Sequence, residues 1–478
     1  MTLHLGIDVG TTKIAALVLD AATGQALAVE EVANAARLPS PLGRSEWSAE
    51  LMVELSVSAA RAALAQVDPR RVASIGVTGQ MHGVVLVDRA QRPFGPFVGW
   101  QDERCNAPAG GYPSTIAWMS RLADPAGLAS TGCRLASGFL GATLFWLARR
   151  GDLPDGATAA SIPDYLVARL VERPPVTDPT NAAGSGLYDV RAGRWSEGLL
   201  ATVGLRQSLF PVVLPTGAIV GGLARAPAEA LGLPRGIPVL NALGDNQASF
   251  LGSVAEPERD VLVNVGTGGQ VSATTVTFVA SGTLEARPYL SGSYLVVGAE
   301  LAGGSAYALL VEFLRRVGTD VLGVEPSADL HTALGKLAAE APSGSGGIRC
   351  DPRFLGSRAA PDLRGGFVGL SPDTFTPGHL ARALLEGIAE TYHGLYAEML
   401  RVGLRPRSRV VGSGNGVRRN PLLGRIIAER FGLPLARPRQ AEEAALGAAI
   451  VAAVGVGDLA DFDSAGRLLS CEEDGDRV

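Results

Sequence analysis

Along the chain, apolar runs of strand length alternate with Gly-bearing polar turns, and one such unit occurs twice. Residues 5–19 (LGIDVGTTKIAALVL) and residues 261–273 (VLVNVGTGGQVSA) each read as strand, tight turn, strand. The first unit turns at Asp8-Val9-Gly10-Thr11 and the second, about half a chain later, at Asn264-Val265-Gly266-Thr267. A Gly at such a turn lets the backbone take positive φ and brings N–H groups close to an anion, and the Thr hydroxyl adds a donor. One hairpin of this kind needs no ligand, but two on facing domains make a clamp for a triphosphate. The pattern predicts a duplicated nucleotide-binding domain.

The remaining periodicity fills in the elements between. Residues 47–67 carry apolar positions at helical spacing behind Ser48, which predicts a helix capped by that serine. Residues 72–88 (VASIGVTGQMHGVVLVD) read as strand, Gly-rich turn, strand, leaving Gln80, Met81 and His82 at a junction where a cleft can open. Residues 89–215 mix Pro, Gly and short helical runs, as inserted, substrate-facing structure does. Residues 237–254 predict a strand running into a helix. In the second half, helices are expected over 380–403, 420–432 and 441–455, with a strand over 409–415. The polar tail CEEDGDRV is expected to fray.

At 478 residues the chain exceeds what one hydrophobic core organises, so two domains of similar size are expected, residues 1–252 and 253–478. A hydrophobic content of 47% and a net charge of −5 describe a packed α/β protein with no basic face for nucleic acid. Cys105, Cys133, Cys350 and Cys471 are scattered without Cys-x-x-Cys spacing, which favours reduced thiols over zinc or disulfides. The N-terminus enters a strand at once, and no apolar run reaches the roughly 18 to 20 residues of a membrane span. A cytoplasmic location without a membrane partner is expected, and a homodimer is left open.

Candidate chemistry lies at the turns. Asp245, in Gly244-Asp245-Asn246-Gln247, ends a strand between the two repeats, where its carboxylate can face the interdomain crevice; the alternative is a cap on the following helix. Asp8 has a similar alternative as a turn stabiliser. Phosphoryl transfer needs two separate carboxylates, one to accept a hydroxyl proton and one to hold Mg²⁺ through its waters. No Gly-x-x-x-x-Gly-Lys-Ser/Thr occurs, so a P-loop is excluded. Gly412-Ser413-Gly414-Asn415 follows a strand and precedes a helix, so its N–H groups could face a nucleotide or simply make the turn. Gly303-Gly304 offers a third Gly-rich turn or a tight packing contact. His82 could donate to a polyol hydroxyl, as could Gln101 and Asp102 beside Trp100. Two polar loops with an aromatic platform describe how a sugar is held.

In order, Gly-Ile-Asp-Val-Gly-Thr-Thr at 6–12, Gly-Gln-Met-His-Gly at 79–83, Gly-Asp-Asn-Gln-Ala at 244–248, Gly-Thr-Gly-Gly at 266–269, Gly-Ser-Gly-Asn at 412–415 and Ala-Ala-Leu-Gly-Ala-Ala at 444–449 form one set. With this set the chain resembles the FGGY carbohydrate kinases, the sugar-kinase branch of the actin/sugar kinase/Hsp70 superfamily, over about residues 3–455. The resemblance implies two ribonuclease-H-like α/β domains with an interdomain catalytic cleft, sugar on the first and ATP mainly on the second. It implies Asp245 as catalytic base and Asp8 as the Mg²⁺-associated acid. Gly10, Thr11, Thr12, Lys13, Gly266, Thr267, Gly303, Gly304, Gly412, Gly414 and Asn415 would contact ATP. Gln80, Met81, His82, Trp100, Gln101, Asp102, Arg104 and Asn246 would contact the sugar.

Within the family, Gly-Gln-Met-His-Gly is similar to the ketose kinases, and Trp100-Gln101-Asp102-Glu103-Arg104-Cys105 is similar to the group acting on sedoheptulose, with D-xylulose as the second choice. Two positions depart from the pattern. Ala15 stands where many relatives carry a basic residue, with Lys13 on the same strand face, and Gly-Thr-Gly-Gly replaces Gly-Thr-Ser, one hydroxyl fewer. Two rivals of other kinds are an actin- or Hsp70-like ATPase, which needs no sugar loops, and a non-catalytic sugar sensor, which needs neither Asp8 nor Asp245.

Overall fold

In the computed structural model, which describes residues 2–279, 281–325, 329–356, 362–466, 468–469 and the backbone of 471–473, each hairpin found in the sequence forms the middle of a seven-stranded sheet. In the first, Leu3–Val9 pairs antiparallel with Lys13–Asp20, placing Asp8 opposite Ala15, and parallel with Val72–Gly79. In the second, Asp260–Val265 pairs antiparallel with Gly269–Thr275, placing Asn264 opposite Gln270, and parallel with Arg409–Ser413. Each sheet adds another antiparallel strand on the hairpin side, Gln25–Ala33 or Tyr294–Glu300. Each also adds a further parallel strand beyond, Pro238–Leu240 or Leu435–Pro438. The same strand order built twice is the ribonuclease-H-like arrangement of the actin/sugar kinase/Hsp70 fold.

Local sequence explains the elements. Leu3, Leu5, Ile7 and Val9 fall on one face of the first strand and are all buried, the period-two pattern of a strand laid on a core. The helix Ala49–Leu64 starts where Ser48 Oγ accepts the Leu51 N–H at 3.2 Å, as the sequence predicts. The 25-residue helix Pro377–Arg401 begins three residues earlier than its periodicity suggests, because Thr376 caps it and Pro377 suits the first helical position.

Two helices join the halves. Asp245–Ser253 packs along Glu443–Gly455, and the latter also lies on the first-sheet strands Leu3–Val9 and Val72–Gly79. The fit has no spare room: a Cβ on Gly6 would overlap the Ala445 carbonyl, and one on Gly252 the Glu443 carbonyl. Ala444 through Ala453 are all buried, so this helix is apolar all round, as its position requires.

The inserted region forms a core of its own around Phe139, Phe145, Tyr188, Trp195 and Phe210, and Phe278 and Tyr294 from the second half pack against it. The tail differs from expectation. Cys471–Glu473 pairs antiparallel with Leu435–Pro438, where the sheet edge offers free N–H and C=O groups; residues 474–478 lie outside the described residues. Cys105, Cys133 and Cys350 are free thiols, and the Cys471 side chain is outside the described set. Among the described residues no helix is long and apolar enough to cross a membrane.

Candidate active site

Between the two sheets lies a cavity of about 1240 Å³. Asp8, Gly10, Thr11, Thr12 and Lys13 line it from the first half, and Gly266, Thr267, Gly303, Gly304 and Asn415 from the second. The Gly303-Gly304 turn is stitched to the second hairpin: Gly304 N–H donates to Gly266 O and Ser305 N–H to Thr267 O, both at 2.9 Å. A Cβ on Gly303 would overlap the Gly268 backbone, so the packing reading and the lining reading both hold for this turn. Tyr307, Leu385 and Ile388 supply an apolar wall of the same cavity.

The Gly412 and Gly414 expectations are corrected. Gly412 lies in a strand with Leu435 and Val417 against the space its Cβ would take, and Gly414, at φ +80°, backs onto the Val265 carbonyl. Both glycines serve the chain's own close packing, and Asn415 and Gly416 line the cavity instead. Arg419, Asn420 and Lys336 also line it, and sequence reasoning passes over them; Asn420-Pro421, a capped helix start, is the signal available. Lys13 is less available than expected. Its ammonium contacts Glu442 at 2.6 Å and Glu31 at 2.9 Å. Burial works against its charge, but the two carboxylates prevail and raise its pKa.

Asp8 and Asp245 stand at the junction of the cavity with the sugar-side loops. Asp8 is half-buried, and its buried Oδ1 has no partner among the described residues. Burial first, then the negative charges of Asp245 and Glu442, push its pKa up to about 7. Asp245 is the first residue of its helix, one past the N-cap Gly244, so it is not itself the N-cap residue. Asp245 Oδ1 accepts the Asn246 N–H at 2.8 Å. Burial raises its pKa, opposed by the Arg287 guanidinium and by the N–H groups of Asn246 and Met81. The turn before it is fixed from behind: Gly244 N–H donates to Thr180 Oγ1, which donates to Asp178 Oδ1, each at 2.7 Å. Thr78 Oγ1 donates to Leu243 O at 2.9 Å. Such bonds hold a carboxylate in place without touching it.

The sugar-side residues divide into two kinds. Gln80 is 2% exposed, and neither its Oε1 nor its Nε2 has a partner among the described residues, so the amide offers a donor and an acceptor to a ligand or a water. His82 Nδ1 donates to Gly184 O at 2.8 Å, and the ring stacks on Phe139 at 4.0 Å. In the neutral ring this makes Nε2 the acceptor, so His82 suits a hydroxyl donor where the sequence suggests donation by the histidine. Met81 Sδ lies 3.3 Å from Arg287 Nη1. Trp100 donates from Nε1 to Thr11 Oγ1 at 3.0 Å, tying the sugar-side loop to the first hairpin tip. Asn246 Nδ2 donates to Gln270 Oε1 at 3.0 Å, which ties the start of the Asp245 helix to the second hairpin. Gln101 is exposed and makes no hydrogen bond among the described residues.

Asp102 and Arg104 are corrected. Asp102 Oδ1 accepts from the Arg104 N–H and Nε, and Oδ2 from the Ser45 N–H and Arg104 Nη2, which fills its four acceptor positions. Burial opposes its charge, but Arg104 and the Ser45 N–H outweigh this and hold its pKa low. The pair positions the Trp100-Gln101 loop; its carboxylate has no position left for a sugar. Arg287 reaches Met81 and Asp245 from the edge strand Leu284–Pro288 of the second half, steadied by Glu285 at 2.6 Å. Sequence reasoning misses it, since nothing local to it signals chemistry.

Among the described residues no three His, Cys, Asp or Glu side chains gather to hold a metal. Mg²⁺ takes one or two carboxylates and completes its shell with water and phosphate oxygens. The unpartnered Asp8 carboxylate, crowded by other acids and lining the cavity, fits that demand.

The N-terminal domain model of the FGGY family of carbohydrate kinases matches residues 3–252, and the C-terminal domain model of that family matches residues 261–456. The chain belongs to this family. It is an ATP-dependent sugar kinase, which sets aside the actin- or Hsp70-like ATPase and the non-catalytic sensor. The chain is 30% identical to the sedoheptulokinase of Homo sapiens, across 94% of this chain and 96% of that protein. It is 31% identical to a glycerol kinase of Thermus brockianus, across 95% and 90%. The xylulose kinase of Rhodospirillum rubrum superimposes with a TM-score of 0.87 at 28% identity, across 98% of this chain and 93% of that one. Three different FGGY kinase activities thus lie at similar distances.

Proposed function

We propose that this FGGY kinase phosphorylates the terminal primary hydroxyl of a ketose, with sedoheptulose as substrate and sedoheptulose 7-phosphate as product. The observation that carries a polyol-directed transfer is the grouping of Asp245, Met81 and Arg287 beside an unpartnered Gln80 amide and the oriented His82 ring. Sedoheptulose is favoured by Trp100-Gln101-Asp102-Glu103-Arg104-Cys105 and by the similarity to sedoheptulokinase. D-xylulose is the second reading, favoured by the superposition on xylulose kinase.

In this reading the Asp245 carboxylate takes the proton of the attacking hydroxyl, and Arg287 with the Asn246 and Met81 N–H groups works against burial to keep it ionised. His82 Nε2 and the Gln80 amide orient the sugar, and Arg287 adds positive charge beside Met81. Gly10, Thr11 and Thr12 on one tip and Gly266 and Thr267 on the other orient the phosphates with N–H and hydroxyl donors. Asp8 would hold Mg²⁺, through water, which when bound neutralises charge on the transferred phosphoryl group. A coupled ADP-release screen over ketoses, polyols and aldoses tests the assignment. The highest kcat/KM is expected for the seven-carbon ketose, and a higher value for D-xylulose or glycerol would overturn it.

A further inference from the structure

A second cavity, about 640 Å³, opens in the first half and shares no lining residue with the nucleotide cleft. Its wall carries Arg44, Arg104, Arg149 and Arg150 against one carboxylate, Glu103, in a chain whose net charge is −5. Two of these arginines are neutralised nearby, Arg104 by Asp102 and Glu46 and Arg150 by Asp152. The other two are not. The Arg44 guanidinium makes no ion pair or hydrogen bond among the described residues and lies over the Trp146 ring at 5.0 Å. Arg149 donates only to Val203 O, at 3.3 Å, and lies over Trp118 at 5.1 Å.

An independent feature points the same way. Thr115 lines this cavity, is 1% exposed, and its Oγ1 has no partner. It is the first residue of the helix Thr115–Leu122, so the positive end of a helix dipole converges with the arginines. A buried hydroxyl without a protein partner costs stability until a ligand or a water completes it.

We infer that this cavity is a second anion site that takes a small phosphate ester. Guanidinium forks match phosphate oxygens, Thr115 Oγ1 supplies a further donor, and the volume lies within the range of small-molecule sites. The Trp118 and Trp146 rings wall the space for the carbon body of the ester. The site touches the sugar side of the enzyme: Glu103 N–H donates to Gly43 O at 2.8 Å, and Asp102 takes the Ser45 N–H at 2.9 Å. Occupancy at Arg44 therefore bears on the loop that carries Trp100, and not on the nucleotide tips.

The test titrates glucose 6-phosphate into the full chain with ADP saturating, followed by calorimetry and by tryptophan fluorescence. Saturable binding is expected, weakened at least about tenfold in the Arg44→Ala/Arg149→Ala double variant, whose basal kcat and KM for ATP stay at wild-type values. Inorganic phosphate is expected to bind at least about tenfold more weakly than the ester. No saturable binding, binding that survives the double substitution, or equal affinity for inorganic phosphate overturns the assignment.

Discussion

The two hairpins each pair antiparallel, each take a parallel neighbour and each carry a Gly-Thr tip, yet the first tip is one residue longer (Asp8 faces Ala15, Asn264 faces Gln270), and one ends in Asp8 and the other in Asn264. The difference separates two tasks. Backbone N–H groups at a tip need only the right conformation to meet a phosphate, so duplication gives that function twice. A carboxylate held without a partner is costly, and the molecule keeps it on one hairpin only. Asp8 stands among the charges of Asp245, Glu442 and Lys13, whereas the Asn264 amide sits against the Gly414 turn. In the proposed function no charge is needed there, so the second tip would be a cradle and the first a cradle with an acid.

The largest effect is expected at the residue beside the acid-bearing hairpin. Asp245→Asn should lower kcat at least about 10²-fold while the ATP dissociation constant stays near wild type. Single-turnover kinetics with calorimetry checks this, and a variant that keeps more than about a tenth of wild-type kcat removes Asp245 from the role of base.

The next effect concerns stability and pH in the nucleotide-free chain. Asp8 has its pKa raised to about 7, so protons bind it more tightly in the folded than in the unfolded state. Stability from this group is full below the unfolded value near 4 and is lost as pH rises through about 7. Asp8→Asn should flatten that loss, with a wild-type deficit of up to a few kcal/mol at about pH 8 and little difference at about pH 4, read from urea unfolding. Parallel curves for the two proteins would show that Asp8 is not held against its charge.

Smaller effects sharpen the comparison of the tips. Thr11→Val removes both a tip hydroxyl and the acceptor of Trp100 Nε1, whereas Thr267→Val removes a tip hydroxyl alone. Each loss is worth about 0.5–1.5 kcal/mol, a few-fold to tenfold in KM. Thr11→Val should raise KM for both ATP and sugar, and Thr267→Val only that for ATP. Equal effects on the sugar KM would mean that the Trp100 contact carries no information between the two sites.

The legible parts of this molecule are those written in local pattern. The hairpins, the Ser48 cap and the strand-to-helix turn at Asp245 follow from apolar period and turn chemistry within a few residues. Arg287, Gln270 and Thr180 reach the site from distant segments through tertiary packing, and no local motif surrounds them. Gly412 and Gly414 mislead because a close backbone approach looks the same in sequence whether the neighbour is a phosphate or the chain's own strand. Asp102 and Arg104 mislead because an acid two residues before an arginine can satisfy it directly, and here it does.

The central claim is that the acid of the first hairpin does what the amide of the second does not. The direct test is the Mg²⁺ dependence of kcat in Asp8→Asn and Asn264→Ala, measured with ATP and ketose saturating. The half-saturating Mg²⁺ concentration should rise at least about tenfold in Asp8→Asn, with kcat reduced, while the Mg²⁺ curve of Asn264→Ala stays unshifted. An equal shift in both variants, or none in either, would contradict the claim.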